Sequence, residues 1–479
     1  MITELLLLSV LGIPSHPNDI QYPEYDFVPP TSSEYRHELS NGIPVYIVED
    51  KELPLIDVSF TFRGGAYLDP KGGVGLSSMM ATLVRDGGTT TLSAKELDEQ
   101  FEFLAAGASV NGGRKSVRAA LNSLSSNFGE SFPLFVDMIK NPGFQESRIK
   151  LNVDGIIEGL KQRNDHPSGI LRRETASLLY GDSYMGRSTT INMVESVTKN
   201  DLEAMHARIV NPSNLIIAIS GDFDKDEMLQ VLEDQLGGWS FGERVPTPPN
   251  VESHFRPGIY YVDQDVSQGG VRIVLRSLRR DDDDLEAATI MNYILGGGGF
   301  SSRITQSVRS DEGLAYSAGS YLIPGVYMDG LWGAGYESKS KTVALAAQLV
   351  FDEINKIKDE LISEDDLNLA KGALVEQFPS LFQSKSQTIG VFVADEVSGR
   401  DPRYWSTYKN RIGSVTKEDV MRVANELLDP NKMAMIVVGD WDEISVGNER
   451  ASIADLGGVI GGDITELPLR DPLTLEPID

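Results

Sequence analysis

Apolar residues recur along the chain with two periods. Leu76, Met79, Met80, Leu83 and Val84 fall at i, i+3, i+4, i+7 and i+8, which predicts an amphipathic helix behind the glycine-rich turn "GGVG". The opposite face of that helix carries Ser78, Ala81, Thr82 and Arg85, a spacing at which side chains on adjacent turns converge on one metal or substrate. Helical periodicity also runs through 93–105, 125–139, 146–163 and 198–210, whereas "IPVYIVED", "LIDVSFTFRGG" and "LIIAIS" read as strands. Strand pairs, several helices and a closing strand predict an α+β sandwich, a mixed and mostly antiparallel sheet covered on one face by helices.

The pattern is written twice. Residues 196–224 align without a gap to 414–442, with nine of 29 positions identical. Both copies open on Thr-x-x-Asp, Thr198 to Asp201 and Thr416 to Asp419, the signature of a capped helix start. "GLSSMMATLVR" (75–85) pairs with "GFSSRITQSVR" (299–309) in the same way. The chain therefore reads as two homologous tandem domains, 35–240 and 257–445, joined by a Gly- and Pro-containing linker at 241–256. An N-terminal extension covers 1–34 and an extended tail covers 446–479.

With 479 residues, 41% of them hydrophobic, the chain can bury more than one core. Its 71 acidic and 43 basic residues leave a formal charge of -28, which repels nucleic acid and anionic lipid. The absence of cysteine excludes disulfides, zinc–thiolate sites and cysteine nucleophiles. The five histidines, His16, His37, His166, His206 and His254, form no His-x-x-x-His pair. The apolar run from Leu5 to Ile13 has no preceding Lys or Arg and is too short to span a bilayer. It reads either as a trimmed export signal or as a simple extension, leaving the location open between periplasmic or exported and cytoplasmic, with no stable membrane insertion.

"FRGGAYLDPKGGVGLSSMMATLVRDGGT" near the start and "LGGGGFSSRITQSVRSDEGLAYS" after the midpoint resemble the insulinase, pitrilysin and mitochondrial processing peptidase family of zinc peptidases, over about residues 35–445. Active members carry His-x-x-Glu-His on the first helix and a distal glutamate, which hold zinc and supply the base. The resemblance puts the first histidine on Ser78, the glutamate on Ala81, the second histidine on Thr82 and the distal glutamate on Gly159, beside Glu158. Hydroxyl and methyl groups cannot replace imidazole and carboxylate ligands. The resemblance thus implies a degenerate member with no metal or cofactor and no catalytic residue of its own, zinc being expected only in a partner.

In "VRSDEGLAYS", Arg309 and Tyr316 match the family's arginine–tyrosine pair, which the resemblance assigns to substrate contact near the scissile bond. A guanidinium can clamp a peptide carbonyl and a phenol can donate to an oxyanion; a helix cap and a packed tyrosine are the structural alternative. The run Gly297, Gly298 and Gly299 lacks the Gly-Lys-Ser/Thr ending of a phosphate loop, and reads as the family's glycine-rich substrate loop or as a tight turn into a helix at Ser301. Asn111, in "GASVNGGRKSVRAAL", matches the family's edge strand, where extended peptides add, or lies on an ordinary strand with a Gly-Gly bulge.

These features imply a non-catalytic, substrate-binding subunit that pairs with a zinc-bearing homologous subunit, or self-associates, and acts on peptides. The alternatives are a structural or assembly subunit without a peptidase role, and an independent peptidase with a rebuilt site.

Overall fold

A computed structural model describes His16, residues 27–252 and residues 256–478; the run from Leu5 to Ile13 and His254 lie outside the described residues. Among the described residues twelve strands form two six-stranded sheets. The N-terminal sheet contains β1 (Arg36–Glu38), β2 (Pro44–Glu49), β3 (Leu55–Arg63), β4 (Gly107–Gly112), β5 (Ser116–Leu124) and β6 (Leu215–Gly221), in the order β1-β2-β6-β3-β5-β4. The C-terminal sheet contains β7 (Gly258–Asp263), β8 (Gln268–Ser277), β9 (Ala315–Ile323), β10 (Gly330–Lys339), β11 (Ala434–Gly439) and β12 (Ile464–Glu466), in the order β12-β7-β11-β8-β10-β9. Each sheet is mixed. β2 and β6 run parallel, as do β7 and β11, and the inner pairs β3–β6 and β8–β11 are antiparallel.

The internal repeat is visible in the local structure. Thr198 caps the helix Lys199–Ile209 and Thr416 caps Lys417–Leu427, each with a reciprocal capping box to Asp201 or Asp419. A short 3-10 turn, Pro212–Asn214 or Pro430–Lys432, then feeds β6 or β11, whose side chains are all buried. The outer edges of the two sheets differ: β1 occupies the edge in the first sheet by pairing antiparallel to β2, while the tail supplies β12, parallel to β7, in the second.

Helices cover one face of each sheet and enclose the two main cores. In the first, Phe60, Phe62 and Met80 meet Leu83, Phe132 and Phe135; in the second, Trp332, Phe351 and Met435 lie at the centre. The opposite faces are partly closed by an exchange of helices. Pro167–Tyr180 of the N-terminal half lays Ile170, Leu171 and Leu179 on β8 and β11, and Lys385–Ser398 of the C-terminal half lays Ile389, Phe392 and Val393 on β2 and β6. Each such buried apolar side chain contributes about 1.5–3 kcal/mol, so the exchange joins the halves through apolar burial. No helix among the described residues is long and apolar enough to cross a membrane.

Candidate functional site

The helix Leu76–Asp86 begins where the carboxylate of Asp69 accepts the N–H groups of Gly75 and Ser77 at 2.8 and 2.9 Å. Burial raises the Asp69 carboxyl above its ordinary value, against the pull of these hydrogen bonds. The apolar stripe Leu76, Met79, Met80, Leu83 and Val84 is buried; on the other face Ser78 is exposed, Thr82 half-buried and Ala81 fully buried. β4 crosses this face closely enough that a Cβ on Gly112 would lie 2.8 Å from Ser78 Cα and 3.2 Å from Ala81 Cβ. Asn111 is therefore next to the degenerate positions, exposed on the edge strand, and β4 pairs with β5 in unbroken register.

Gly159 lies on the exposed side of the helix Glu146–Lys161, with open space where a Cβ would stand, and neighbouring Glu158 is held by Lys161 at 2.6 Å. Ser78, Ala81, Thr82 and Gly159 offer no imidazole or carboxylate. Among the described residues no group of three or more His, Cys, Asp and Glu side chains could hold a metal ion. The residues present at this position do not fit zinc.

In the C-terminal half the corresponding segment is wound differently. A 3-10 turn, Gly299–Ser301, leads into a π-helical stretch, Thr305–Asp311. Asn292, which lies against Gly297, is itself fixed in place: its Oδ1 accepts from Trp332 Nε1 at 3.1 Å and Ser320 Oγ at 2.8 Å. Packing accounts for two of its members: a Cβ on Gly297 would sit 2.6 Å from Asn292 Nδ2, and one on Gly298 2.8 Å from the Tyr293 carbonyl oxygen. Gly299 has φ +63, where a side chain is strained.

Beyond this loop the Arg309 guanidinium lies between two rings, 4.6 Å from the centroid of Phe300 and 5.0 Å from that of Tyr316. Phe300 is 70% and Tyr316 87% exposed, so the stack stands out in solvent. A β-bulge aims the tyrosine: Ala318 pairs with Tyr336 and Ala315 with Ser338, leaving Tyr316 and Ser317 opposite the single residue Glu337. The base of the stack is fixed by Thr305, whose hydroxyl donates to the Ala318 carbonyl at 2.7 Å.

Arg309, Tyr316, Phe300, Gly297 and Gly299 line one open cleft of about 1080 Å³ on the sheet face partly covered by the exchanged helix Pro167–Tyr180. Gly298 adjoins it; Asn111, Ser78, Ala81, Thr82 and Gly159 do not line it. Among the described residues no carboxylate pairs with Arg309 and no protein group hydrogen-bonds the Tyr316 hydroxyl. The arrangement can therefore donate hydrogen bonds to a carbonyl or an oxyanion. Phe300 was not marked by its sequence, because the repeat aligns it with Leu76, a core residue.

Residues 196–374 match the family model described as the peptidase M16 inactive domain. The chain is 21% identical over 409 residues to the non-peptidase homolog YmxG of Helicobacter pylori, covering 83% of this chain and 92% of that protein. It is 24% identical over 320 residues to an uncharacterized zinc protease of Mycobacterium leprae, covering 66% of this chain and 71% of that one. Among solved structures, a peptidase M16 inactive domain from Pseudomonas fluorescens superposes with a TM-score of 0.76 at 21% identity, covering 84% of this chain and 97% of that chain. A protease from Helicobacter pylori superposes at 0.74 and 18% identity, covering 86% and 100%. Two homologous α+β halves, the matched motifs and the quiet side chains at 78, 81, 82 and 159 lead to one conclusion: residues 196–374 are similar to the peptidase M16 inactive domain, and the chain resembles the insulinase, pitrilysin and mitochondrial processing peptidase family without carrying its His-x-x-Glu-His motif.

Proposed function

We propose that this chain is the non-catalytic, substrate-binding subunit of a two-chain metallopeptidase acting on peptides, with zinc and base supplied by a His-x-x-Glu-His sister chain. One observation carries the reading. Arg85 and Arg309 are equivalent in the repeat, but Arg85 is consumed by the fold, donating to Asp98 at 2.6 Å and the Ala108 carbonyl at 3.0 Å, whereas Arg309 is held by aromatic faces alone and keeps its donors free.

In this reading Arg309 binds a carbonyl of an extended peptide and Tyr316 donates to the oxyanion formed when the sister chain's chemistry attacks it. Gly299, with open space where a Cβ would stand, leaves room for peptide backbone along the cleft, and Asn111 on β4 offers a second edge contact. The name of the Helicobacter relative, a non-peptidase homolog, supports a chain that does not cleave by itself.

Fluorescence anisotropy of a labelled, unstructured peptide mixture with the purified chain tests the binding step. Saturable binding weakened about tenfold by Arg309→Ala is expected, the loss of one charge-assisted hydrogen bond being worth about that factor. Binding that is absent, or unchanged by the substitution, would overturn the reading.

A further inference from the structure

We infer that the junction of the two halves holds a small oxyanion, a phosphate or a carboxylate, bound between Arg63, Lys115 and Arg244. This inference is independent of the peptide cleft. The three cations come from different parts of the chain: Arg63 ends β3, Lys115 lies in the turn before β5, and Arg244 lies in the stretch that connects the halves. They line a cavity of about 230 Å³ together with Tyr67, Tyr327 and Glu396. At roughly 30 Å³ per water, that space admits an oxyanion with a few waters.

What is missing around these cations defines the ligand. In a chain of charge -28, no carboxylate forms a contact ion pair with any of the three among the described residues, Glu396 acting on Arg63 only at longer range. Arg63 donates only to the backbone oxygen of Glu396, at 3.1 Å, and Lys115 Nζ lies over the Tyr327 ring at 5.2 Å. Arg244 makes no hydrogen bond with the described residues, and its side chain is exposed. The acid in the lining, Glu396, is already committed: its carboxylate accepts from Arg36 Nε at 3.0 Å and the Tyr46 hydroxyl at 2.6 Å.

The phenols are committed as well, Tyr67 to the Pro246 carbonyl at 2.7 Å and Tyr327 to the Val397 carbonyl at 3.2 Å. Burial, and then mutual repulsion, lowers Arg63 through Arg244 and lowers Lys115 through Arg114 and Arg280. Half-buried like charges such as Arg63 and Lys115 beside a cavity cost stability, and an anion between them and the exposed Arg244 relieves that cost while meeting donors of the N-terminal half and of the connecting stretch.

Isothermal titration of the full chain with inorganic phosphate, against sodium chloride of equal ionic strength, tests the site. Parallel arms use an acetylated peptide with a free C-terminal carboxylate and the same peptide as its amide. Saturable 1:1 binding of phosphate or of the peptide acid is expected, with affinity falling about tenfold or more in Arg244→Gln and in Lys115→Met. Arg244→Gln removes a side chain with no hydrogen bond to lose, so its folding is not at stake. Binding of the acid but not of phosphate or the amide identifies a chain terminus as the ligand; binding of phosphate identifies a free anion. No saturable binding by either, or equal binding in both variants, overturns the inference.

Discussion

Arg85 and Arg309 stand at equivalent positions of the two halves, 224 residues apart, yet among the described residues Arg85 has a carboxylate partner and Arg309 has none. Arg85 ties its helix to Asp98 and to the carbonyl of Ala108 while its guanidinium covers Phe101 at 5.3 Å. Arg309 has two ring contacts and no anion. The same position of the repeat therefore serves folding in the first half and, among the described residues, has only aromatic partners in the second.

That division separates two substitutions. Arg85→Ala is expected to cost about 1–3 kcal/mol through its lost hydrogen bonds, whereas exposed cation–π contacts limit Arg309→Ala to about 1 kcal/mol. Urea unfolding of both variants checks this, and equal losses would contradict it.

The repeat, the paired capping boxes and the degenerate helix were legible in the sequence, since period and capping depend on residues a few positions apart. Phe300 was not. It and Leu76 are both apolar and aligned, but Leu76 is 7% exposed in a regular helix while Phe300 is lifted out by a 3-10 turn ahead of a π-helical stretch. The bulge that turns Tyr316 outward follows from pairing with β10 and leaves no local signature. The exchanged helices were hidden for a similar reason: the partners of Leu171 and Phe392 lie in the opposite half.

Glu174 provides a test of how the tail holds the halves. Its carboxylate, 3% exposed, pairs with Arg173 at 2.9 Å and with Arg470 of the tail at 3.4 Å. Glu174→Ala leaves Arg173 buried without its partner and is expected to cost roughly 3–5 kcal/mol. Arg470→Ala leaves the inner pair intact and is expected to cost about 1–2 kcal/mol. Denaturation midpoints in this order support the account; the reverse order contradicts it.

His206 sets part of the acid sensitivity. Burial lowers its pKa from the ordinary 6.5, while its Nε2 lies 2.8 Å from the Ile139 carbonyl. The unfolded chain therefore binds more protons as pH falls below about 6.5, and stability drops with it. His206→Gln, with an amide donor in place of the ring, is expected to flatten the fall in stability just below about pH 6.5 relative to the parent. An unchanged slope in thermal denaturation over that range would show that other groups control it.

The buried methyl of Ala81 predicts that the ancestral chemistry is not restored by one change. Ala81 is 0% exposed, so Ala81→Glu introduces an unpaired carboxylate into a packed site and is expected to destabilise by at least about 2 kcal/mol without conferring peptidase activity. Melting temperature and a peptide-cleavage assay read the two parts separately.

The central claim is that this chain binds substrate for a zinc-bearing sister. Its most direct test is cleavage of a mixed fluorogenic peptide library by the purified chain alone and together with a His-x-x-Glu-His homologue from the same genome, repeated with Arg309→Ala and Tyr316→Phe. Silence from the chain alone, cleavage by the mixture, and a slower mixture with either substitution are expected. Cleavage by the chain alone, or a mixture indifferent to both substitutions, would contradict it.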